Sequence, residues 1–274
     1  MPEPGGRSTP DPWRDLTEET IAVAGRQLRI VRPRESEDLI DEAAFEREEM
    51  LPYWAQLWPS AIALARAAAA ARPAGKRVLE LGCGGAQCSI AFAKQGAHAI
   101  GVDASGEQLA FARRLCERED VKVELHHGDL ADLAFLRADS IDLVFSSGAF
   151  GFVDDLNRVF RQVHRVLRRG APLVFSLPHP AWRLVDTAET EGPLLVRRSY
   201  FDRSPIDHEV DGIAFTDYHH SVGDIFSGLT RTNFRVDTML EPEPLAGGPR
   251  SPLWHDAFRL VPRTLVVRAR KEGT

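Results

Sequence analysis

The chain has 274 residues, of which 43% are hydrophobic and 27% charged, and its formal net charge is −6. This composition is that of a globular protein that can bury a sizeable core, and the negative charge provides no general attraction to nucleic acid or to an anionic membrane. The three cysteines are too few, and too unlike a zinc motif in spacing, for a disulfide framework or a metal site, so we expect a reduced, cytoplasmic environment and no bound metal.

The beginning of the chain differs in composition from the remainder. Residues 1–20 are polar and rich in proline and glycine, which predicts a disordered tail without a secretory signal. Residues 21–33 alternate enough to predict a pair of strands, and residues 37–48 predict a helix that ends near Pro52. The range 21–72 is therefore interpreted as an N-terminal, mainly helical segment that covers the following domain.

The most apolar helical stretch is AIALARAAAAAR, residues 61–72, and a proline at position 59 suits its first turn. The stretch is short, rich in alanine and interrupted by Arg66, which predicts a soluble helix rather than a membrane span. Trp54 and Trp58 stand four positions apart just before it. They would share one helix face, either as part of a core or as part of a lid over a ligand.

Short apolar strands alternate with helical segments from residue 77 onwards. The predicted strands are 77–81, 98–103, 121–129, 140–147 and 171–178, and the helices between them are 88–95, 105–119 and 154–169. Ser105 is expected to cap the second of these helices, and Gly170 to end the third. Near-continuous apolar strands separated by helices are typical of a parallel sheet with helices on both faces. The sequence predicts a doubly wound, Rossmann-like, mostly parallel α/β fold for the core domain, residues 73–274.

The pattern changes again after the fifth strand. Residues 181–220 predict a small β-rich insertion, in which 194–203 and 211–220 form two strands of a hairpin or of a small lobe. The remaining elements are, in chain order, a helix followed by a turn at 222–234 and strands at 234–244 and 263–271. These last strands would bring the sheet to seven and give it a hairpin-like end.

A glycine-rich stretch, VLELGCGGAQ at residues 78–87, joins the first strand of the core to its helix. Glycine allows a positive φ and a close approach of ligand to backbone, and open α/β sheets bind nucleotides at this place. A dinucleotide would require a third small residue at position 87, where Gln87 stands. S-adenosylmethionine has no phosphate, so a loop that binds it would tolerate the acidic Glu80 two residues before Gly82.

This stretch resembles the first motif of the class I S-adenosylmethionine-dependent methyltransferases, which reads acidic-x-Gly-x-Gly-x-Gly. The chain has Glu80, Gly82 and Gly84 at the first three defined positions, with Ala86 in place of the last glycine. Asp103, at the end of the second strand, matches the second motif. The resemblance implies that its carboxylate binds the two ribose hydroxyls of the cofactor, S-adenosylmethionine.

Further motifs of the same family follow in order, so that the resemblance covers roughly residues 50–270. HGDLADL places Asp129 and Leu130 after the third strand, and the resemblance implies that Asp129 bonds the adenine amino group. The fourth and fifth strand motifs are matched by DLVFSSGAFGFV and VHRVLRRGAPLVFSLPHP, which would place Ser146 beside the cofactor and the acceptor. The other cofactor contacts expected on this basis are Trp58, Cys83, Gln87, Ala104 and Gln108.

The resemblance implies an enzyme that transfers a methyl group from its cofactor by in-line displacement. PHPAW, SYFDR and DYHHSVGD are similar to segments of actinobacterial small-molecule methyltransferases, so we expect a small organic acceptor, with neither nucleic acid nor a membrane as partner. We expect a monomer or a homodimer. The candidate catalytic residues are His179, after the fifth strand, and His219 and His220, before a helix, because histidine titrates near neutral pH and could deprotonate a hydroxyl acceptor.

Other functions stay open at this point. PYWAQLWPSA also resembles the protein-lysine methyltransferase branch, and a protein that binds the cofactor without turnover would carry the same motifs. Gln87 and Glu80 argue against a nucleotide-dependent oxidoreductase. Nucleic-acid methylation is disfavoured because Asn/Asp-Pro-Pro-Tyr does not follow the fourth strand, SLPHP contains no cysteine and the charge is acidic.

Overall fold

The computed structural model describes residues 16–23, 26–33, 59–69, 71–185, 194–210, 213–244 and 256–273. The strands, in chain order, are β1 Leu16–Val23, β2 Arg26–Pro33, β3 Arg77–Leu81, β4 His98–Asp103, β5 Val123–His127, β6 Leu143–Ser147, β7 Pro172–Pro178, β8 Ile206–Val210, β9 Ile213–Asp217, β10 Phe234–Leu240 and β11 Thr264–Lys271. The α-helices are α1 Pro59–Ala69, α2 Gln87–Lys94, α3 Gly106–Arg118, α4 Leu156–Val166 and α5 Val222–Arg231. Short 3₁₀ helices occur at Ala149–Phe152, Trp182–Leu184 and Asp256–Arg259.

Seven strands form the central sheet in the order β10-β11-β7-β6-β3-β4-β5. The strands β5, β4, β3, β6 and β7 run parallel, whereas β11 is antiparallel to both β7 and β10. The chain proceeds from β3 to β4 and β5 on one side and reaches β6 and β7 on the other, so the strand order reverses at β3. Such a reversal opens a crevice at the carboxyl ends of the strands, where α/β proteins bind ligands. The predicted mostly parallel, seven-stranded sheet is confirmed.

Alternate side chains of the central strands enter two hydrophobic clusters on opposite faces. Leu79 of β3 packs in a cluster that includes Phe160 of α4. Its neighbour Val78 belongs to the opposite cluster, with Leu64 of α1 and Phe92 of α2. Because helices cover both faces, these strands are apolar along nearly their whole length, as buried parallel strands are. The predicted double winding is confirmed.

The N-terminal strand pair is longer than predicted. β1 begins at Leu16, so residues 16–20 belong to a strand and not to the predicted tail. β1 and β2 are antiparallel, and a cross-strand ion pair joins Glu18 Oε2 to Arg29 Nε at 3.2 Å. Threonine and paired charges suit a two-stranded ribbon that faces solvent, which explains how a polar sequence forms this strand.

Helix α1 begins at Pro59, as the fixed φ of proline predicts. Arg66 of this helix donates from Nε to the Ala22 carbonyl at 2.9 Å and so joins α1 to β1. The predicted helix at 37–48 and the aromatic residues 53–58 lie outside the described residues. Among the helices that are described, none combines the length and the apolar content that a membrane span requires.

Helix α4 ends earlier than predicted, at Val166 rather than near Gly170. Leu167 is already extended and pairs with Ile141 in a single bridge, and the Arg168 amide donates to the Ile141 carbonyl at 2.9 Å. Burial of Leu167 against the end of the sheet outweighs the helical periodicity of this segment. Gly170, at a φ of +76°, forms the turn into β7 instead.

The predicted first strand of the insertion, 194–203, is wrong. The hairpin is formed by β8 and β9, so only the predicted strand 211–220 overlaps it. Residues 199–204 turn instead: the Asp202 amide donates to the Ser199 carbonyl at 3.1 Å, and the Ser204 amide donates to Asp202 Oδ1 at 2.9 Å. Short polar side chains that bond the backbone in this way compete with strand pairing.

Candidate active site

Three loops meet around Gly82 at the carboxyl edge of the sheet. Gly82 has a φ of +68°, and a Cβ at this position would stand 2.1 Å from the Cβ of Ala149, which follows β6. Leu130, which follows β5, lies 3.8 Å from the same point. Gly84 and Ala86 also have positive φ, at +50° and +59°. The first glycine of the motif is therefore required both by backbone conformation and by the close approach of a second loop.

The carboxylate of Glu80 is buried beneath this loop. Its Oε2 accepts hydrogen bonds from the Ser89 amide at 2.7 Å and from Ser89 Oγ at 2.5 Å. The residue that caps α2, Ala86, has no side-chain acceptor, so Glu80 satisfies an amide in the first turn of that helix. Burial raises the pKa of Glu80 to about 7, although the bonds from Ser89 oppose the shift. The predicted contact of Glu80 with the cofactor stays a prediction.

Asp103 connects the glycine-rich loop to the end of β4. Its Oδ2 accepts from the Gly84 amide at 2.7 Å, and its Oδ1 accepts from the Ser105 amide at 2.9 Å. A carboxylate oxygen has two lone pairs, so both oxygens retain capacity for a further donor such as a hydroxyl. Asp103 is thus placed where a pair of vicinal hydroxyls could be bound.

The backbone amides of the loop distinguish between the two ligands considered above. The Gly82 and Cys83 amides both donate to the Val102 carbonyl, at 2.9 and 3.0 Å, and the Gly84 amide is bonded to Asp103. A pyrophosphate site depends on amides that are available to phosphate oxygens. Here these three donors are used within the protein, and a carboxylate occupies the place of an anion. The residues fit a phosphate-free ligand with hydroxyl and amino groups, such as S-adenosylmethionine.

The loops after β4 and β5 continue the same edge. Asp129 is exposed, with Oδ1 accepting from the Ala131 amide at 2.8 Å, which fixes the carboxylate at the start of a turn. Ala104 is exposed, and its carbonyl accepts from His127 Nε2 at 2.8 Å. Gln108 is exposed in the first turn of α3, and its Oε1 lies 3.6 Å from the Cβ position of Gly84. These predicted cofactor residues all lie along one edge of the sheet.

The remaining predicted cofactor residues differ in how they face this edge. Ser146 is buried and donates from Oγ to the Leu81 carbonyl at 2.8 Å, which joins β6 to β3. The Cys83 thiol points beneath the loop, 2.9 Å from the Cβ position of Gly101, and burial raises its pKa well above the usual range. Gln87 is exposed at the start of α2. Trp58 lies outside the described residues.

His179 is buried, and its hydrogen bonds join the segment after β7 to the segment after β10. Its Nδ1 accepts from the Ala181 amide at 3.1 Å, which fixes the proton on Nε2, and Nε2 donates to Glu241 Oε1 at 2.8 Å. Both ring nitrogens are therefore occupied by protein groups. This arrangement favours a structural role over the predicted role as a base.

His219 and His220 differ in the hydrogen bonds of their rings. His220 donates from Nε2 to the Val153 carbonyl at 2.6 Å, so the lone pair of the neutral ring is on Nδ1. Burial lowers the pKa of His220, with a further contribution from nearby arginines. His219 is 4% exposed, and neither of its ring nitrogens has a hydrogen-bond partner among the described residues.

In the described ranges, no three His, Cys, Asp or Glu side chains are grouped as a metal site would require.

The insertion carries a buried ion pair that the sequence analysis missed. Arg183 Nη1 and Asp217 Oδ2 are 2.7 Å apart, and their side chains are 8% and 15% exposed. Arg183 Nη2 lies 3.0 Å from the Cβ position of Gly151, in the 3₁₀ helix that also contains Ala149. The only signal in the sequence was the position of PHPAWR directly after the fifth strand, where this fold class places ligands.

Several known proteins resemble this chain. A family profile described as a methyltransferase domain matches residues 78–170. An S-adenosylmethionine-dependent methyltransferase from Mesorhizobium loti, known from a crystal structure, is 27% identical with a TM-score of 0.61, covering 78% of this chain and 100% of that one. An uncharacterised methyltransferase of Bacillus subtilis is 29% identical over 175 residues, which are 61% of this chain and 69% of the relative. A ubiquinone biosynthesis O-methyltransferase of Hahella chejuensis is 37% identical over 102 residues, 37% of this chain and 43% of the relative.

Proposed function

We propose that this chain, which belongs to the class I S-adenosylmethionine-dependent methyltransferases, methylates a small organic acceptor held beneath the segment 194–220. When bound, S-adenosylmethionine supplies a methyl group on a cationic sulfur, which is already electrophilic. The protein has to hold the cofactor, align the acceptor and exclude water, and it has to remove a proton where the acceptor is a hydroxyl.

The cofactor would be held along the edge formed by the loops after β3, β4 and β5. Asp103 is suited to the ribose hydroxyls, because its two oxygens are fixed by the Gly84 and Ser105 amides. Asp129, whose carboxylate is exposed after β5, is suited to an exocyclic amine. These assignments follow the motifs of the family, residue by residue.

The observation that carries the small-molecule acceptor is the way the insertion covers the end of β6. The Tyr218 amide donates to the Gly151 carbonyl at 2.9 Å, and the rings of Phe152 and Phe215 lie 6.1 Å apart. In the same segment the His219 side chain is almost fully buried. An end of the sheet that a chain segment covers in this way suits a small acceptor better than a lysine on a protein surface or a nucleic acid. The similarity to the O-methyltransferase of Hahella chejuensis agrees with this proposal.

His220 is the residue we propose as base for a hydroxyl acceptor. The Val153 carbonyl fixes the proton of its neutral ring on Nε2. Nδ1 is then free to accept a proton, and the lowered pKa keeps the ring neutral near pH 7. Of the three candidate histidines, His220 alone combines a fixed tautomer with a basic nitrogen that is not already bonded to a described residue.

Calorimetric titration tests the cofactor site. S-adenosylmethionine and S-adenosylhomocysteine are expected to bind the purified protein with micromolar affinity, and NADH is expected not to bind. Asp103→Ala should weaken binding at least tenfold. Asp132→Ala is the matched control, because the Oδ1 of Asp132, like that of Asp103, accepts from the amide two residues further on, here that of Ala134 at 3.1 Å. Equal affinity in the Asp103→Ala variant would contradict the ribose assignment.

Radiolabelled methyl transfer tests the acceptor class. The protein is incubated with tritiated S-adenosylmethionine and a cell extract that has been separated into low-mass, protein and nucleic-acid fractions. Label is expected in the low-mass fraction only. Label in the protein fraction would instead support the protein-lysine alternative, and tight cofactor binding without any transfer would support an inactive binding protein.

A further inference from the structure

The connection between β9 and α5 carries His220 and lies against the turn that follows β6. The Tyr218 amide donates to the Gly151 carbonyl at 2.9 Å, and His220 Nε2 donates to the Val153 carbonyl at 2.6 Å. Gly151 lies in the 3₁₀ helix of this turn, and Val153 caps that helix. The position of the His220 ring therefore depends on how firmly the connection is held against the turn.

The end of the connection that leads into α5 is fixed by a capping box. Ser221 Oγ accepts from the Asp224 amide at 3.1 Å, and Asp224 Oδ2 accepts from the Ser221 amide at 2.9 Å. Arg203 forms an ion pair with the same carboxylate. The chain directly after His220 is therefore fixed at the start of α5.

The end of the connection that leaves β9 is fixed by a buried ion pair. Asp217 is the last residue of β9, and its Oδ2 lies 2.7 Å from Nη1 of Arg183. Nη2 of the same guanidinium lies 3.0 Å from the Cβ position of Gly151. Arg183 itself belongs to the 3₁₀ helix that follows β7, and β7 is next to β6 in the central sheet. One planar guanidinium therefore lies between the end of β9 and the turn whose carbonyl accepts from Tyr218.

The hairpin of β8 and β9 requires such an anchor, because its two strands form a sheet of their own. A two-stranded sheet is marginally stable in water without further packing. The rings of Phe152 and Phe215, 6.1 Å apart, supply an apolar contact to the turn, but apolar contacts are not directional. The ion pair is directional, and its side chains are only 8% and 15% exposed, so that removal of one partner is strongly unfavourable. The pair therefore fixes the end of β9 relative to the turn.

The position of a general base governs its efficiency. Such a base must lie within hydrogen-bond reach of the proton that it removes. A displacement of about 1 Å, even when its cause lies away from the reacting atoms, can reduce a rate by about a hundredfold. His220 stands three residues after Asp217. A shift at the end of β9 would therefore be passed directly to the His220 ring.

We propose that Arg183 and Asp217 are positioning residues for His220: their ion pair holds the connection against the turn after β6, so that Nδ1 of the ring keeps one direction. This inference rests on the proposed function for the role of His220 as base. The positioning itself rests on the contacts of the ion pair and of the turn.

Hydrogen exchange tests the positioning without an acceptor. The Nε2 proton of His220 is followed by ¹H–¹⁵N NMR on the protein alone at pH 7, and its signal is assigned by its loss in His220→Gln. Exchange of this proton requires the bond to the Val153 carbonyl to open. Arg183→Met and Asp217→Asn should therefore each accelerate the exchange at least tenfold. Unchanged exchange in both variants would overturn the inference.

Arg268→Met is the matched control. It breaks another partly buried pair of arginine and aspartate, in which Arg268 Nε and Asp237 Oδ1 are 2.6 Å apart on the strands β11 and β10. This variant should lose stability to urea without accelerating the exchange, and equal acceleration in it would overturn the inference. The double variant Arg183→Met/Asp217→Asn removes both charges of the proposed pair. It therefore carries the same test where a single variant does not fold.

Methyl transfer tests the link to the role of His220. The measure is the rate at which label from tritiated S-adenosylmethionine enters the low-mass fraction, at an extract concentration beyond which the rate no longer rises. This rate should fall at least tenfold in each single variant and no further in the double variant, because the pair acts as a unit. Arg183→Lys, which keeps a charge opposite Asp217, should be faster than Arg183→Met. Losses that multiply in the double variant would overturn the inference.

The positioning and the proposed function fail in different ways. Unchanged hydrogen exchange in the variants, with labelling by the original protein intact, would remove the positioning role and leave the proposed function. Faster exchange in the variants of a protein that labels no low-mass compound would retain the positioning and contradict the proposed function.

Discussion

Gly82 and Ala149 are so close that a methyl group on the glycine would stand 2.1 Å from the Ala149 Cβ. The contact joins the loop after β3 to the 3₁₀ helix after β6. The substitution Gly82→Ala must therefore displace one of the two segments.

We expect Gly82→Ala to weaken binding of S-adenosylhomocysteine at least tenfold in a calorimetric titration. Gly75→Ala is the control, because Gly75 has a similar φ of +71° but no atom within 4 Å of its Cβ position. The left-handed conformation costs an alanine about 1 kcal/mol at either place. Only Gly82→Ala should also weaken cofactor binding, because only this position is crowded. An equal loss of affinity in Gly75→Ala would contradict the role of the contact with Ala149.

The second prediction concerns Glu80 and pH. The pKa of its carboxyl is raised by burial from 4.5 to about 7 on folding, so the folded state binds more protons between these pH values. The Glu80 carboxyl makes its full contribution to the free energy of unfolding below pH 4.5. This contribution decreases by about 3 kcal/mol as the pH rises to 7. The neutral variant Glu80→Gln should retain an acceptor for Ser89 and avoid this loss.

Denaturant unfolding at pH values from 4.5 to 8 measures the effect. The stability of Glu80→Gln relative to the original protein should rise with pH up to about 7 and then level. A difference that does not change with pH would contradict the titration of this group. The same variant tests the predicted contact with the cofactor, since a tenfold loss of affinity would reveal a charge that the ligand requires.

The third prediction concerns the proposed base. His220→Gln retains a donor for the Val153 carbonyl but has no basic nitrogen, so methyl transfer to a hydroxyl acceptor should fall at least a hundredfold at pH 7. In the original protein the rate should rise with pH through a pKa below 6.5 and then level, because burial lowers the pKa of this ring. His179→Gln is the comparison, and it should keep the shape of that pH profile. A profile unaltered in His220→Gln would exclude this histidine.

The fourth prediction uses Gly151 to displace Arg183 without changing its charge. A Cβ at Gly151 would stand 3.0 Å from Arg183 Nη2 and 3.3 Å from Pro178 Cδ. Gly151→Ala should raise KM for the acceptor several-fold with little change in cofactor affinity. Gly223→Ala serves as control, because its nearest neighbour would be Ser221 Oγ at an ordinary 3.6 Å. Identical KM values for the two variants would contradict the placement of the acceptor beside this turn.

The sequence predicted the core of the fold well because local and long-range requirements agree there. β4 has the predicted bounds, since HAIGVD is apolar enough to be buried and ends at an acid and a helix cap. The expected cap at Ser105 is present, with its Oγ accepting from the Gln108 amide at 3.2 Å. The predicted end of helix α4 was too late, because the helical periodicity continues into Leu167. The conformation of Leu167 is instead determined by its pairing with the distant Ile141.

The insertion was predicted less well, for a physical reason. Arg183 and Asp217 are 34 positions apart, and nothing local to either residue shows that they form a buried pair. His179, His219 and His220 could not be ranked, since the tautomer of a histidine depends on groups such as Glu241 and Val153 that the fold brings to it. The family motifs lie within short stretches of sequence, whereas the contacts of Arg183 and of these histidines form only on folding.

The short helix Ala149–Phe152 lies between the glycine-rich loop and Arg183, so in the proposed function it would contact both the cofactor and the acceptor. Any displacement of this turn when one ligand enters changes the space available to the other. Thermodynamic reciprocity then requires that each ligand alter the affinity of the other by the same factor. The size and sign of this coupling between cofactor and acceptor are thus properties that this one turn of helix is placed to set.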